Sequence, residues 1–277
     1  GQPNVVRFEV VEEGEDALSG KAERKQIVLH LGTGKKSLAV NLLLYLPPSA
    51  TGPVLGFLTV NFLGNHKVHS DPAICIPTSW VRKGNGVKNN QATAEGRGSR
   101  SSRWAINTIV DRGYAFATMY YGDLDPDFHD GFENEVHGLF SLPGSTVREP
   151  TDWGSIAGWA WGLSRGLDYL ETDPKIDAKR NAVMGHSRLG KTSLWASALD
   201  QRFAMVISNN SGCGGAALNR RRFGETIKRI NTSFPHWFCE NFKKYNDKED
   251  HCPVDQHMLI ALSAPHPVFI ASAQDDK

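Results

Sequence analysis

The residue of this chain best suited to do chemistry is Ser187, in the run Gly185-His186-Ser187-Arg188-Leu189-Gly190-Lys191. Before it, the apolar stretch Asn181 to Met184 follows the charged Asp177-Ala178-Lys179-Arg180 and reads as a strand. After it, Leu189, Leu194, Trp195, Ala198 and Leu199 recur at helical spacing, so a helix is expected from Leu189 to Leu199. A strand-to-helix turn this tight strains the backbone of its apical residue and lifts the hydroxyl clear of the sheet. It also aims the first N–H groups of the helix at whatever the serine attacks. The pattern departs from Gly-x-Ser-x-Gly, because position 189 is leucine and the glycine comes one step later. A glycine-bounded βα turn without chemistry would leave a similar trace. Arg188 and Lys191 shift the balance: two cations at a helix N-terminus oppose the helix dipole, and an anionic partner would explain them.

The elements that must position this turn follow from the rest of the pattern. Antiparallel strands are expected at Val5 to Val11, Lys25 to Leu31 and Leu38 to Leu46, closed by Pro47-Pro48. Strands at Val54 to Val60 and Ala115 to Tyr120 come next, then a helix from Trp153 to Glu171 and the Ser187 turn. A strand at Ala204 to Ser208, a helical stretch around Asp255 to Ser263 and a strand at Val268 to Ala273 complete the series. Strands alternating with helices predict an α/β three-layer sandwich with a mainly parallel central sheet, ligands being met at the carboxyl ends of the strands. Residues 63 to 104 form a long polar, Gly- and Arg-rich stretch without periodicity, expected to run over the active-site edge.

Composition excludes several classes of function. The 277 residues, 40% hydrophobic, can bury a sizeable core, and one domain spanning residues 1 to 277 is expected. With 31 basic against 30 acidic residues the net charge is +1, which leaves no electrostatic footprint for nucleic acid or an anionic membrane surface. No stretch reaches the length of a membrane-spanning helix, and Gly1-Gln2-Pro3 begins no signal peptide, as would also hold for a processed secreted protein. Cys75, Cys213, Cys239 and Cys252 lack zinc-site spacing; a bridge between Cys239 and Cys252 and reduced thiols both remain open. Asp123-Leu124-Asp125-Pro126-Asp127 with His129 and Asp130 looks superficially like a calcium loop. It lacks glycine at the sixth position and contains proline, so a loop shaped by side-chain-to-backbone hydrogen bonds, with no required metal, is expected.

Several ordered blocks together resemble a known family. GHSRLGK (Gly185 to Lys191), SNNSGCGGAA (Ser208 to Ala217), GETIKRIN (Gly224 to Asn231), FPHWFC (Phe234 to Cys239) and PVDQHMLIAL (Pro253 to Leu262) are similar to the bacterial glucuronoyl esterases of carbohydrate esterase family fifteen. NFLGNH (Asn61 to His66) and YYGDLDPDF (Tyr120 to Phe128) extend the likeness, which runs from about residue 54 to the end. The resemblance implies an α/β-hydrolase fold, no cofactor, and hydrolysis of esters that join the glucuronic acid of xylan to lignin alcohols. A uronic-acid-containing polysaccharide ester is the substrate it implies, for a monomeric, secreted or periplasmic protein.

It also implies roles. Ser187 would be the nucleophile, and Arg188 would serve the oxyanion through its backbone N–H and its guanidinium. Lys191, one turn along from Ser187 on the same face, could hydrogen-bond sugar hydroxyls, and Glu225 matches the position that contacts the sugar ring. A solvated carboxylate on an amphipathic helix is the plain alternative for Glu225. Fungal members carry glutamate where this chain has Asn210, and asparagine cannot stabilise an imidazolium; many bacterial members instead place an acid after the later strand. That acid is expected at Asp276, chosen over Asp275 from the register of the motif, though both could be ordinary loop residues. In the order serine, acid, histidine, the base would follow Lys277, so the sequence is read as incomplete at its C-terminus. His66 is a weaker candidate for a rearranged base. Fungal members also have, in place of His186, a cysteine that tethers the nucleophile loop, and that tether cannot form here. The competing expectations are another carbohydrate acyl esterase, such as one acting on acetyl xylan, and a catalytically silent protein that binds uronate polysaccharide.

Overall fold

A computed structural model describes residues 6–33, 36–48, 50–140 and 148–273. In chain order the elements are β1 (Val6–Asp16), a single turn α1 (Ala17–Gly20), β2 (Ala22–Thr33), β3 (Lys36–Leu46), β4 (Gly56–Asn61) and a two-residue-per-strand hairpin, β5 (Val87–Lys88) and β6 (Gln91–Ala92). There follow α2 (Ile106–Asp111), β7 (Ala115–Tyr120), α3 (Glu135–Phe140), α4 (Ser155–Leu170), β8 (Ala182–His186), α5 (Arg188–Leu199), β9 (Met205–Asn209), α6 (Ile227–Ser233), α7 (Gln256–Ala261) and β10 (Val268–Ala271). Eight strands form one sheet in the order β1-β2-β3-β7-β4-β8-β9-β10. The pairs from β1 to β7 are antiparallel, and those from β7 through β4, β8 and β9 to β10 are parallel. This is the expected α/β-hydrolase arrangement, a mainly parallel sheet preceded by N-terminal antiparallel strands.

The layering follows from the alternation of side chains along the central strands. On β3, Leu42, Leu44 and Leu46 face one core, together with Ala117 and Met119 of β7 and with Trp159, Leu163, Leu167, Leu189 and Leu194 of α4 and α5. Leu43, Tyr45 and Phe116 point the other way, into a second core closed by Ile106 and Val110 of α2 and by Val68 and Ile74 of the excursion. Because both faces are covered, β7 is buried along its whole length and reads in sequence as a mostly apolar run, interrupted only by Thr118.

Differences from the sequence reading have local causes. β1 continues to Asp16 rather than ending at Val11, and its acidic second half pairs with basic residues of β2. Glu13 lies opposite Lys25 in the register, and Glu12 accepts the Arg24 guanidinium. Charge on an edge strand is compatible with pairing, although it hides the alternation that announces a strand. The helix expected from Trp153 begins at Ser155, because Gly154 is extended and the chain enters α4 only there. Its first N–H groups are satisfied from outside: Ser155 N donates to His236 O at 2.9 Å and Ile156 N to Trp237 O at 3.3 Å. The short helices α2, α3 and α6 carry too few turns to show a period.

Residues 63 to 104 are ordered by polar cross-links. The Asn61 side chain accepts Leu63 N and Gly64 N, Arg97 donates to the carbonyls of Asp71 and Ile74, and Tyr120 Oη donates to Trp80 O.

Candidate active site

β8 and α5 meet at Ser187, whose backbone sits at φ 57°, ψ −128°, a conformation that a non-glycine residue adopts only under constraint. The constraint is visible. Ser187 N donates to Asn209 O at 2.9 Å, while Gly190 N and Lys191 N both donate to Ser187 O, at 2.9 and 3.2 Å. Gly185 permits the bend, since a Cβ there would lie 2.0 Å from the carbonyl oxygen of Leu189. Leu189, where the usual motif has glycine, is 1% exposed and packs into the core, and Gly190 lies against Asn209 and Ser208 of β9. The close helix–strand contact is therefore carried one residue later than in Gly-x-Ser-x-Gly. Ser187 itself remains partly open to solvent.

Arg188 turns its guanidinium inward, 13% exposed, onto the carboxylate of Asp127. The guanidinium also lies over the Trp237 ring at 4.5 Å and the Phe234 ring at 5.0 Å, and those two rings are stacked on each other. Its Nε–H is buried without an acceptor. An unpaired buried donor costs about 1–3 kcal/mol unless something arrives to accept it.

Lys191 is buried, its ammonium donating to Ser211 O and lying 3.6 Å from Glu225 Oε2 and 5.7 Å from the Trp237 ring centre. Burial pushes its pKa below the ordinary lysine value, against the opposing pull of Glu225. Gly212 lines the same place, its absent Cβ 3.4 Å from Glu225 Oε2 and 3.7 Å from Lys191 Nζ. The fold thus brings Arg188 and Lys191 onto the Trp237 ring next to the Ser187 turn, and Lys191 pairs with Glu225, which is therefore not simply solvated.

Asp127 is the residue that motif reading underweighted. Its loop is not shaped by side-chain-to-backbone bonds alone, because its three inner carboxylates diverge to separate partners. Asp123 accepts Asn41 N, Asn41 Nδ2 and Ser79 Oγ, Asp125 faces His137 Nε2 at 3.5 Å, and Asp127 turns to Arg188. Among the described residues, no group of three or more His, Cys, Asp or Glu side chains converges as metal ligands would. Trp237 and His236 were likewise present in a quoted motif without a role. Only the fold brings FPHWFC against GHSRLGK.

Asp276 and Asp275 lie outside the described residues. Asn210 has a defined use: Asn210 N donates to Ala271 O at 2.8 Å, and its Oδ1 accepts Ala273 N at 3.0 Å. It ties the loop after β9 to the chain leaving β10, in a left-handed conformation that asparagine tolerates. All four cysteines are free thiols, so Cys239 and Cys252 are not bridged.

Three of the histidines are engaged with other side chains. His30 pairs with Glu9, His186 Nδ1 with Asn209, and His236 Nε2 with Asp127. His66 is sealed in the core at 0% exposure with neither ring nitrogen bonded, which suits a structural side chain and not a base. Burial, reinforced by the charges of Lys67 and Arg97, lowers its pKa to about 4. An unfolded chain takes up that proton near 6.5, so the unfolded state binds more protons as pH falls from 6.5 towards 4. The stabilisation is complete above 6.5 and is lost on acidification through that window, to the extent of about 3 kcal/mol. Melting temperatures measured between pH 7 and 4 should fall less steeply for His66→Leu than for wild type.

The matches to known proteins agree with this fold. Residues 140–277 match the family model described as glucuronyl esterase, fungi. A solved structure of a promiscuous CE15 esterase from a marine bacterial metagenome superposes with a TM-score of 0.89 at 51% identity, over 100% of this chain and 70% of that one. A glucuronoyl esterase from Solibacter usitatus superposes with a TM-score of 0.92 at 43% identity, with the same coverage. This chain belongs to carbohydrate esterase family 15. A curated carbohydrate esterase from an unknown prokaryotic organism is 54% identical over 95% of the chain, which spans 61% of that relative's length. The second glycine of the Ser187 turn is displaced without loss of the turn, because Leu189 fills the core and Gly190 makes the close approach. Among the described residues, no helix is long and apolar enough to cross a membrane.

Proposed function

We propose that the full-length protein hydrolyses esters of glucuronic acid or its 4-O-methyl ether, of the kind that link glucuronoxylan to lignin alcohols. The observation that carries this reading is the juxtaposition at the β8–α5 turn of a partly exposed serine at φ 57° with a guanidinium that has a buried, unpaired Nε–H. Ser187 Oγ attacks the ester carbon while a base takes its proton, and the carbonyl oxygen acquires the negative charge. The N–H groups opening α5 and the Arg188 guanidinium stabilise that oxygen. The alcohol departs with a proton, and water then cleaves the uronoyl-serine. Lys191 donates to, and Glu225 accepts from, hydroxyls of the uronate ring, which places the sugar on the acyl side. Asp276 is the proposed acid of the triad. The base is proposed to be a histidine that follows this acid along the full-length protein, in the order serine, acid, histidine. A polymeric plant substrate fits a secreted or periplasmic location, and a monomer suffices because every proposed contact comes from one chain.

The decisive experiment assays full-length protein on benzyl or methyl glucuronate in parallel with acetylated xylan. Release of glucuronic acid from the uronate ester is expected. Release of acetate alone would make it a different carbohydrate esterase, and glucuronoxylan binding without turnover of either substrate would make it a binding protein.

A further inference from the structure

We propose that Asp127 is a positioning residue for this esterase chemistry: it fixes the Arg188 guanidinium so that the free Nε–H faces the developing oxyanion. The inference rests on the esterase reading above and adds a residue that does not itself touch substrate.

The Asp127 side chain is 0% exposed, yet it gathers donors from four separated parts of the chain. Its Oδ2 accepts Arg188 Nη1 from the start of α5, Arg82 Nη2 from the excursion at 2.5 Å, and Tyr121 Oη from the turn just after β7 at 2.9 Å. Its Oδ1 accepts Trp237 Nε1 at 2.9 Å and lies 3.1 Å from His236 Nε2, both from the segment after α6. A carboxylate offers about four lone-pair sites, so five donors saturate both oxygens. Asp127 is left with no capacity to serve as a base or to meet a ligand. Burial pushes its pKa up, but the His236 hydrogen bond, the charges of Arg188 and Arg82 and the Trp237 N–H together hold it below the ordinary aspartate value.

What such an anchor can do is hold the arginine still. Arg188 has a long side chain whose free rotation would spread its donors over many directions. Here one edge is pinned by Asp127 and one face rests on Trp237, itself tied to the other oxygen of the same carboxylate. Donors fixed before the reaction need no reorganisation as charge develops, which is the source of their effect on rate. The charge balance also favours an anion: two guanidinium groups, Arg82 and Arg188, against one carboxylate leave a net +1. Arg82 is half exposed and belongs to residues 63 to 104, so that excursion contributes to the site through Asp127.

The test is a double-mutant cycle in the full-length protein, with kcat and KM measured on methyl glucuronate. Asp127→Asn should lower kcat by about 10- to 100-fold with KM nearly unchanged. In an Arg188→Ala background the same substitution should have little further effect, because the interaction it acts through is already gone. Should Asp127→Asn fail to fold, Tyr121→Phe removes one of the five donors without leaving a buried cation unpaired. It should lower kcat several-fold, again only while Arg188 is present. An unchanged kcat, or a loss that persists in full without Arg188, overturns the proposal. If wild type turns out not to hydrolyse uronate esters, the functional reading fails, and the positioning role is judged from the Arg188 Nε–Hε resonance. That signal should exchange slowly with water in wild type and quickly in Asp127→Asn or Tyr121→Phe, and identical exchange in wild type and variant overturns the proposal.

Discussion

Replacing Ser187 with alanine is expected to lower turnover of methyl glucuronate by the full-length protein by a factor on the order of 10⁴ to 10⁶, while free glucuronate binds as it does to wild type. The size of the effect follows from the place of the residue. Ser187 is the one proposed group that forms a bond to the substrate, and nothing next to it can substitute. Arg188 is committed to Asp127, Lys191 to Ser211 and Glu225, and the His186 ring to Asn209. What survives in the variant is the stabilisation of a water attack by oxyanion donors and bound geometry. The fold should tolerate the change, because the turn is held by backbone bonds from Ser187 N and to Ser187 O, and alanine keeps both. A kcat within tenfold of wild type, measured with enzyme purified free of other esterases, would remove Ser187 from the mechanism. Equilibrium titration with glucuronate checks the other half, since weakened binding would mean that the pocket had collapsed.

The second large effect is expected at Arg188. Arg188→Lys should lower kcat by about 10² to 10³-fold, close to the loss of a complete oxyanion donor. Lysine keeps a positive charge, but it has neither the planar fork that spans from Asp127 to a second acceptor nor the flat face that rests on Trp237. The ammonium would satisfy Asp127 and leave no directed donor where Nε–H now stands. KM should move little, because the missing interaction is one made with charge that appears only in the transition state. Stopped-assay kinetics on methyl glucuronate would separate the two constants. A KM effect at constant kcat would instead identify Arg188 as an ordinary binding residue for the uronate.

How much of this was legible beforehand differs from place to place. The strands that bury both faces announce themselves, and β7 runs from Ala115 to Tyr120, just where a strand is expected, with Thr118 its one polar interruption. The Ser187 turn was legible because Gly185 and the apolar run before it leave the chain few alternatives. β1 was read short because its second half is acidic, and only the basic residues brought opposite it by β2 make that half a strand. Asn210 was read for the charge it lacks, whereas its structural use is a pair of backbone contacts to the chain leaving β10.

The alternation of strands and helices, the strained serine at a strand-to-helix junction and the cations beside it can all be read from the order of residues. These are local properties, written in residue spacing and in what glycine permits. Where the cations point depends on contacts between segments far apart in the chain. Asp127 lies 61 residues before Arg188, and Trp237 lies 49 after it. A buried carboxylate that collects Arg82, Tyr121, Arg188, His236 and Trp237 has no signature along the chain, because each contact is a meeting of side chains that the sheet brings together from distant loops.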